Sequence, residues 1–389
     1  MNSELYIFVI WESGRSKQDF LFKELEKKFV IRDVYEITWN EKNFLNNMRR
    51  FYGPKLGDVN KKISMCGTGA FLLILISDPN PKFEKRRTSI GMEIVNINLY
   101  DYKKIYRKIT GLGYAIHSSV TYKETNDDLT LLLGKNTHDI IKEIPERWNN
   151  TLKKINSDLI GQNGWKDINQ LFYVLNSTVN YVVLRNFEDL PEKFHNYEHN
   201  DIDFMTDDYL RMPYITNGGK SPFNDIFPSI VKISEKTIPF HFEHSRDGNY
   251  DEKWAKVILK RRVLYQGFYV PSKEDYFYSL YYHVVFHQRG ISEEYKNKLM
   301  YLAKELQIKE MTEKTLDNLE ESKKIIEKYM NKMGYRHPDS TYYKIIHNKF
   351  SQFAKTSIYL WRVHGMNFLL TAIKIKIKRT ISKSPRLQE

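Results

Sequence analysis

The sequence predicts an α+β protein with more than one domain. Its 389 residues exceed what one ordinary hydrophobic core contains, so two or three domains are expected. Hydrophobic residues make up 41% of the chain and aromatic residues 14%, which is enough apolar surface to bury cores. Short apolar runs typical of strands, such as Ala70–Ile76, alternate with amphipathic segments typical of helices, such as Lys17–Phe29.

The first 135 residues predict an α/β domain in which strands and helices interleave. Strands are expected at Leu5–Trp11, Val34–Trp39 and Ala70–Ser77. Helices are expected at Lys17–Phe29 with Ser16 as the N-cap, at Asn43–Phe51, at Asn98–Ile109 and at Lys123–Leu133.

The rest of the chain predicts three further regions. A polar stretch, His138–Asp158, indicates a helical linker over residues 136–164 that ends in the turn Gly161–Gly164. A second domain is expected over 165–310, and a charged helical region over 311–389. The expected elements of 165–310 are strands at Tyr181–Leu184, Asp201–Phe204 and Pro239–Phe242, and helices at Asp167–Leu175, Asp251–Arg262, Lys273–His287 and Glu293–Leu306.

The positive charge of the chain is concentrated near its end. The net charge is +13, and Thr341–Glu389 holds ten Lys or Arg and one acid, which accounts for nine of those charges. Apolar residues and Trp361 are interleaved with them, which favours an amphipathic contact of residues 350–386 with an anionic membrane surface. The alternative is a terminal helix packed on the body with a solvated basic face. A domain-wide basic stripe is absent, so no nucleic-acid partner is expected.

Cysteine content and hydropathy predict a cytoplasmic protein, with a peripheral contact at the inner membrane face through the basic tail. Cys66 is the single cysteine, so no internal disulfide forms, as is typical of a reducing compartment. The N-terminus lacks the pattern of a signal peptide. The apolar run Ala70–Ile76 is far shorter than the roughly 20 residues that span a bilayer.

The pair Asp201 and Asp203 is the strongest functional signal. Residues two apart in a strand face the same side, so both carboxylates project together, with Ile202 and Phe204 on the opposite, core side. Aligned carboxylates are stabilised by a cation, and hard oxygen ligands suit Mg²⁺ or Mn²⁺. Such sites perform phosphoryl or nucleotidyl transfer by positioning and charge neutralisation.

The context of this pair resembles the polymerase-beta-like nucleotidyltransferase superfamily. A buried strand, Tyr181–Leu184, runs into the polar turn Arg185-Asn186, and Asp-x-Asp follows about fifteen residues later. The segments 250–254 and 268–283 are similar to bacterial members of that group linked to surface-glycan assembly, beside the fukutin-type phosphosugar transferases. The resemblance implies a mixed sheet with helices and a metal-dependent transferase.

The resemblance also implies roles for individual residues. Asp201 and Asp203 would bind metal and act in catalysis, with Glu243 on the next strand as third carboxylate and His241 as its same-face neighbour. The superfamily's Gly-Ser turn is replaced, so Arg185 and Asn186 would bind phosphate. The donor would be nucleotide-linked. The acceptor would be a saccharide or phosphorylated group in bacterial cell-surface polysaccharide synthesis.

Two histidines on one predicted helix form a second candidate site. His283 and His287 are four residues apart and share a helix face, so they are candidates for phosphate or metal binding. Their aromatic and aliphatic neighbours equally fit histidines that are packed and hydrogen-bonded in a core.

The N-terminal domain faintly resembles nucleoside diphosphate kinases, which would make it ferredoxin-like. The segment Gly113–Ser119 is similar to the motif that holds the phosphorylated histidine of that family, which implies phosphate binding at His117. The basic cluster Arg86-Arg87 would grip phosphates. The family's lysine after the first strand is replaced by Trp11-Glu12, which favours a domain that recognises nucleotide phosphates or serves as a scaffold.

Two other functions remain open. A glycosyltransferase using a nucleotide sugar also employs Asp-x-Asp, but it places the motif after several parallel strands. A catalytically degenerate nucleotide-binding scaffold would carry the same folds without metal dependence.

Overall fold

The computed structural model describes residues 4–89, 91–111, 113–192, 201–218, 229–245, 249–288 and 290–337. The basic tail over 350–386, and with it the predicted membrane contact, lies outside the described residues. Strands and helices mix throughout the described chain, so the predicted α+β class is confirmed. None of the described helices is long and apolar enough to cross a bilayer.

The chain divides into two compact units. The first comprises Met1–Asn180, Leu210–Gly219 and Ile230–Ile238. The second comprises Tyr181–Tyr209, Lys220–Ser229 and Pro239–Glu389. The first unit thus extends past the predicted domain start at residue 165.

The strands and helices up to residue 180 build most of the first unit. The strands are β1 Leu5–Ile10, β2 Val30–Thr38, β3 Phe71–Ser77, β4 Phe83–Thr88, β5 Gly91–Asn96, β6 Ile116–Ser118 and β7 Lys153–Asn156. The helices are α1 Gln18–Glu26, α2 Glu41–Tyr52, α3 Val59–Cys66, α4 Ile97–Thr110, α5 Tyr122–Leu133, α6 Thr137–Glu143 and α7 Ile168–Thr178.

The main sheet of the first unit has the strand order β6-β1-β3-β2-β7. β1, β3, β2 and β6 pair antiparallel, and β7 joins β2 in parallel. Every residue of β1 and β3 is buried, as expected for apolar central strands covered on both faces. One core cluster joins these strands to α1 and α4, through residues such as Phe8, Leu25 and Leu99.

The region after α6 corrects the predicted helical linker. The helix ends at Glu143, and Lys153–Asn156 is a strand paired with β2. Pro145 explains the early end, because a proline disfavours helical backbone at the residue before it, and Ile144 is extended. Lys153 is then held by an ion pair of 2.5 Å from its Nζ to Oδ2 of the buried Asp33.

The predicted N-cap at Ser16 is also wrong. A 3-10 turn, Glu12–Lys17, precedes α1, and Lys17 is the cap residue, without a side-chain hydrogen bond. The turn is fixed at its start, where the Glu12 carboxylate accepts a hydrogen bond of 2.6 Å from the Gly69 amide. The helical turn therefore begins before Ser16, so Ser16 lies inside it and lacks the extended backbone of an N-cap residue.

The remaining elements follow in chain order. The strands are β8 Tyr181–Val183, β9 Ile202–Thr206, β10 Ser229–Ile233, β11 Lys236–Glu243, β12 Val263–Tyr265 and β13 Phe268–Val270. The helices are α8 Met212–Ile215, α9 Glu252–Lys260, α10 Lys273–Tyr282 continued by a π-helix His283–Gln288, α11 Glu293–Glu305, α12 Glu313–Asp317 and α13 Leu319–Met333.

The second sheet has the order β10-β11-β9-β8 and carries the Asp-x-Asp pair on β9. β8 runs antiparallel to β9, and β11 runs parallel to it. On one face Phe204 packs against Phe240 and Phe242, with ring centroids 4.9 and 5.8 Å away. These rings are buried, which confirms the predicted core side of β9 and leaves the opposite face for the polar side chains.

Candidate functional site

The polar face of the second sheet is built by strand alternation. Asp201 and Asp203 bracket the start of β9, and His241 and Glu243 lie on the same face of the neighbouring β11. Parallel pairing places His241 beside Asp203 and Glu243 beside Met205. Three carboxylates therefore come to one face of two adjacent strands.

Arg185 joins two of these carboxylates. It follows β8 by two residues, and the Leu184 amide still donates to the Asp203 carbonyl at 2.9 Å. Its Nε lies 2.9 Å from Oδ2 of Asp203, and its Nη2 lies 3.2 Å from Oε1 of Glu243. The Arg185 side chain is 8% exposed and its partners 13% and 12%, so this is a buried ion-pair cluster.

The charged groups of this cluster strongly shift one another's pKa. Burial lowers the pKa of Arg185, but the Asp203 and Glu243 carboxylates outweigh it and raise that pKa well above its ordinary value. Burial raises the pKa of Glu243 to about 7; Arg185 opposes the rise and Asp203 adds to it. Oε2 of Glu243 is buried without a hydrogen-bond partner among the described residues. The cluster thus holds a carboxylate oxygen that is still unsatisfied.

Asp201 occupies the open side of this face. Its side chain is 38% exposed, and its Oδ2 lies 3.4 Å from Nε2 of His241, which is 35% exposed. The pair Asp201–His241 is therefore the accessible part of the polar face, whereas Asp203 and Glu243 are shielded. The sequence predicted His241 as a same-face neighbour but gave no signal of its pairing with Asp201.

The polar turn after β8 is held by the following helices. Asn186 has a φ of +56°, in the left-handed region that asparagine tolerates better than most residues. Its side chain meets Tyr295 Oη at 3.4 Å and accepts from Lys298 Nζ at 3.1 Å, both on α11. The Tyr276 hydroxyl on α10 donates to Glu188 at 2.5 Å. These contacts hold the turn in place and so fix the position from which the Arg185 side chain extends.

The two predicted histidines meet in the π-helix that continues α10. Nδ1 of His283 lies 3.3 Å from Nδ1 of His287. Burial, followed by the positive charge of Arg185, lowers the pKa of His287 to about 3. The structure thus brings His287 into the field of the Arg185 cluster, which a helical spacing alone does not reveal.

His117 belongs to the first unit, on β6. Its Nε2 lies 3.0 Å from Oδ2 of Asp128, and with Glu124 these residues bring one possible ligand atom each within 4.8 Å of one another. Four basic side chains around them lower the pKa of His117 further after burial has lowered it. Burial, followed by the negative charges of Glu124 and Asp127, raises the pKa of Asp128, so charges of both signs meet at this place.

The basic residues that the kinase resemblance singled out lie elsewhere in the first unit. Arg86 and Arg87 are on β4, which forms a two-stranded hairpin with β5. Nη2 of Arg86 lies 2.7 Å from a Glu84 oxygen. The residue in place of the family's lysine, Glu12, is engaged with the Gly69 amide instead.

Comparisons with protein-family models, with curated proteins and with solved structures find no match to this chain. The superfamily resemblances therefore stay predictions.

Metal binding can be judged from the donors on the polar face. Asp201, Asp203 and Glu243 offer hard carboxylate oxygens, the ligand type that Mg²⁺ and Mn²⁺ prefer. The unsatisfied Oε2 of Glu243 is a donor atom without an internal role. The residues therefore fit such an ion, while Arg185 balances two of the carboxylates in the protein alone.

The Arg185 cluster predicts the effect of removing the guanidinium. In Arg185→Met, two buried carboxylates lose their counter-charge, so the free energy of unfolding should fall by about 3–5 kcal/mol. Urea denaturation measures this. The exposed Lys260→Met is the control and should change it by less than about 0.5 kcal/mol. Adding Glu243→Gln to Arg185→Met should restore part of the loss; no recovery would contradict the charge explanation.

The lowered pKa of His287 predicts a loss of stability in acid. Below its unfolded pKa of about 6.5, the unfolded chain takes up a proton that the folded protein excludes until about pH 3. Stability from neutral His287 is therefore present above pH 6.5 and decreases as the pH falls. Since His287 is partly exposed, the slope should stay below ~1.4 kcal/mol per pH unit.

Urea denaturation of His287→Gln between pH 7 and 4.5 tests this, with the exposed His138→Gln as control. The His287 variant should lose less stability with falling pH than the wild type, and the control should follow the wild type. Parallel curves for all three proteins would contradict the assignment.

Proposed function

We propose that the protein is a Mg²⁺- or Mn²⁺-dependent transferase that moves a nucleotidyl or a phosphosugar or phospho-alditol group. The observation that carries the proposal is the convergence of Asp201, Asp203 and Glu243 on one face of β9 and β11. Three carboxylates on adjacent strands are energetically costly unless cations balance them. A bound divalent ion would hold and neutralise the phosphates of a nucleotide-linked donor.

The order of elements supports the same proposal. β8, the turn at Arg185 and β9 follow one another in the order that the resemblance to polymerase-beta-like nucleotidyltransferases implies, and β11 then supplies the third carboxylate. The helix that the resemblance implies between the turn and the second strand is not among the described elements. In the first unit, the order β6-β1-β3-β2 is that of a βαββαβ ferredoxin-like sheet, which supports the expected fold of that unit.

The chain's own residues would have distinct tasks in this reaction. Asp201, the accessible carboxylate, would meet the metal first, with His241 as its neighbour. Arg185 lies between Asp203 and Glu243 and would be free to contact a donor phosphate when a metal takes over their charge. Asn186, which follows Arg185 in the turn and meets Tyr295, would help to position the guanidinium, and His287 lies within electrostatic range of it.

The cellular setting is proposed from the resemblance. The acceptor would be a saccharide or phosphorylated group in bacterial cell-surface polysaccharide synthesis, at the cytoplasmic side of the inner membrane. A degenerate nucleotide-binding scaffold is a second candidate, favoured by one observation: Arg185 already forms ion pairs with two of the three carboxylates.

An assay of transfer separates these two functions. The full chain is incubated with nucleoside triphosphates and with CDP- or UDP-linked donors, with Mg²⁺, Mn²⁺ or a chelator, and donor cleavage is followed. We expect metal-dependent cleavage that Asp201→Asn combined with Asp203→Asn lowers by at least about 10³-fold. The variant Glu235→Gln, at a 96% exposed side chain, should match the wild type.

Cleavage that survives the double substitution, or that continues with chelator, would contradict the proposed mechanism. Absence of cleavage with every donor, together with metal-independent nucleotide binding, would favour the scaffold.

A further inference from the structure

The hairpin of β4 and β5 in the first unit has one exposed face that mixes apolar and basic side chains. Side chains alternate along each strand, and directly opposite residues of the two strands share a face. The five side chains of this face are Phe83, Lys85, Arg87, Met92 and Ile94, and we call them the hairpin face. All five are exposed, and the apolar ones are 50%, 57% and 69% exposed. Large apolar groups are therefore held in water beside two cations.

The opposite face of the hairpin holds its two carboxylates. Glu84 pairs with Arg86, with 2.7 Å between Oε2 and Nη2. Glu93 accepts a hydrogen bond from the Thr88 hydroxyl. Val95 on this face is fully buried, so this face is turned towards the body of the first unit. Strand alternation thus separates the acids of the hairpin from the hairpin face.

The cations of the hairpin face have no internal counter-charge. Neither Lys85 nor Arg87 forms an ion pair within the described part of the chain. Lys85 lies opposite Ile94, and Arg87 lies opposite Met92, so each cation borders a large apolar side chain. Lys and Arg can lay their aliphatic stems along apolar surface and extend the charge beyond it. The hairpin face therefore presents apolar groups and positive charge together.

Contacts at both ends hold the hairpin in place. At its base, the Ile97 amide donates to the Lys82 carbonyl at 2.8 Å. Towards the turn, the Tyr100 hydroxyl on α4 donates to the Arg87 carbonyl at 3.0 Å. An isolated two-stranded hairpin is only marginally stable in water, so these contacts stabilise it. The hairpin face is thus presented by an anchored element.

We propose that the hairpin face docks on an anionic lipid bilayer. Phe83, Met92 and Ile94 would enter the boundary between headgroups and acyl chains, and the two cations would contact anionic headgroups. Charge complementarity selects this occupant, because a bilayer offers an apolar interior beneath a negative surface. A second copy of the same face would bring cations against cations. An acidic polymer would leave the three apolar side chains in water.

This inference does not depend on the proposed transferase activity, because the three carboxylates of that site lie outside the hairpin. It also differs from the phosphate grip that the kinase resemblance implied. Arg86 belongs to the opposite face, where it pairs with Glu84, and apolar side chains make up most of the hairpin face. The hairpin face is a docking surface additional to the contact predicted for residues 350–386.

Cosedimentation of the full chain with vesicles tests the proposal. The vesicles consist of phosphatidylcholine alone or of phosphatidylcholine mixed with phosphatidylglycerol. We expect the wild type to bind the anionic vesicles more tightly. Lys85→Gln combined with Arg87→Gln should weaken this binding by about tenfold or more, since each surface cation contributes about fivefold. Ile94→Ser should weaken it by about fivefold, because one apolar side chain no longer enters the bilayer.

Matched controls separate the hairpin face from general charge and from the basic tail, which stays intact in every variant. Lys260→Gln combined with Lys309→Gln changes the net charge equally at two exposed lysines outside the hairpin. Leu264→Ser removes a 63% exposed apolar side chain from the other two-stranded hairpin. Both controls should bind vesicles like the wild type. The Tm of all variants should match that of the wild type, since every substituted residue is exposed.

A fluorescent label locates the contact directly. Cys66 is the single cysteine and is buried, so a thiol-reactive, environment-sensitive dye will attach at the cysteine introduced by Ile94→Cys or by Leu264→Cys. The emission of the dye at position 94 should shift to the blue when anionic vesicles are added. The emission at position 264 should stay unchanged.

Three results would overturn the proposal. One is equal vesicle binding by the wild type and the variant that lacks the charges of Lys85 and Arg87, or an equal loss in the Lys260 and Lys309 control. Another is a blue shift that is absent at position 94 or equal at position 264. The last is a dimer that Ile94→Ser dissociates without any change in vesicle binding, which would assign the hairpin face to a second copy of the chain.

Discussion

The buried guanidinium of Arg185 balances the charges that two strands bring to one sheet face. Asp203 and Glu243 lie on adjacent parallel strands, where two shielded like charges would repel each other strongly. The guanidinium spans both, at 2.9 and 3.2 Å. Its reach depends on the turn after β8, and that turn depends on the contacts of Asn186 with α11. Sheet, turn and helices are therefore coupled through one side chain.

The same ion pairs determine how much negative charge is left for a bound metal ion to balance. Three carboxylate charges and the one guanidinium charge of Arg185 give a net charge of about −2, which one divalent cation balances. Arg185 keeps the protein stable without such an ion. An ion that binds Asp203 and Glu243 would release the guanidinium for a phosphate. The Arg185 guanidinium, which stabilises the fold, and the proposed catalytic ion thus compete for the same carboxylates.

Much of this arrangement follows from local sequence. The alternation at Asp201–Phe204 predicted which side chains face the core, because a two-residue period needs no tertiary information. The continuous apolar runs at β1 and β3 predicted buried strands, because a short apolar run is also visible without tertiary information. The pairing of Arg185 with Asp203 and Glu243 was not predictable, since it joins residues 18 and 58 positions apart and depends on strand order.

Other differences also depend on contacts between residues that are far apart in the chain. The strand Lys153–Asn156 looks polar and helical in sequence, and its assignment depends on the long-range partner Asp33. The sequence showed His287 only as a histidine four residues from His283 on one helix. Its low pKa comes from burial and from the charge of Arg185, which the spacing does not reveal.

In the proposed site, Arg185 and a divalent cation bind the same carboxylates. The direct measurement is the free energy of unfolding of wild type and Arg185→Met as Mg²⁺ is titrated at constant ionic strength. We expect Mg²⁺ to stabilise Arg185→Met more than the wild type, and we expect the additional substitution Asp203→Asn to remove this gain. Equal stabilisation of wild type and Arg185→Met by Mg²⁺ would contradict it.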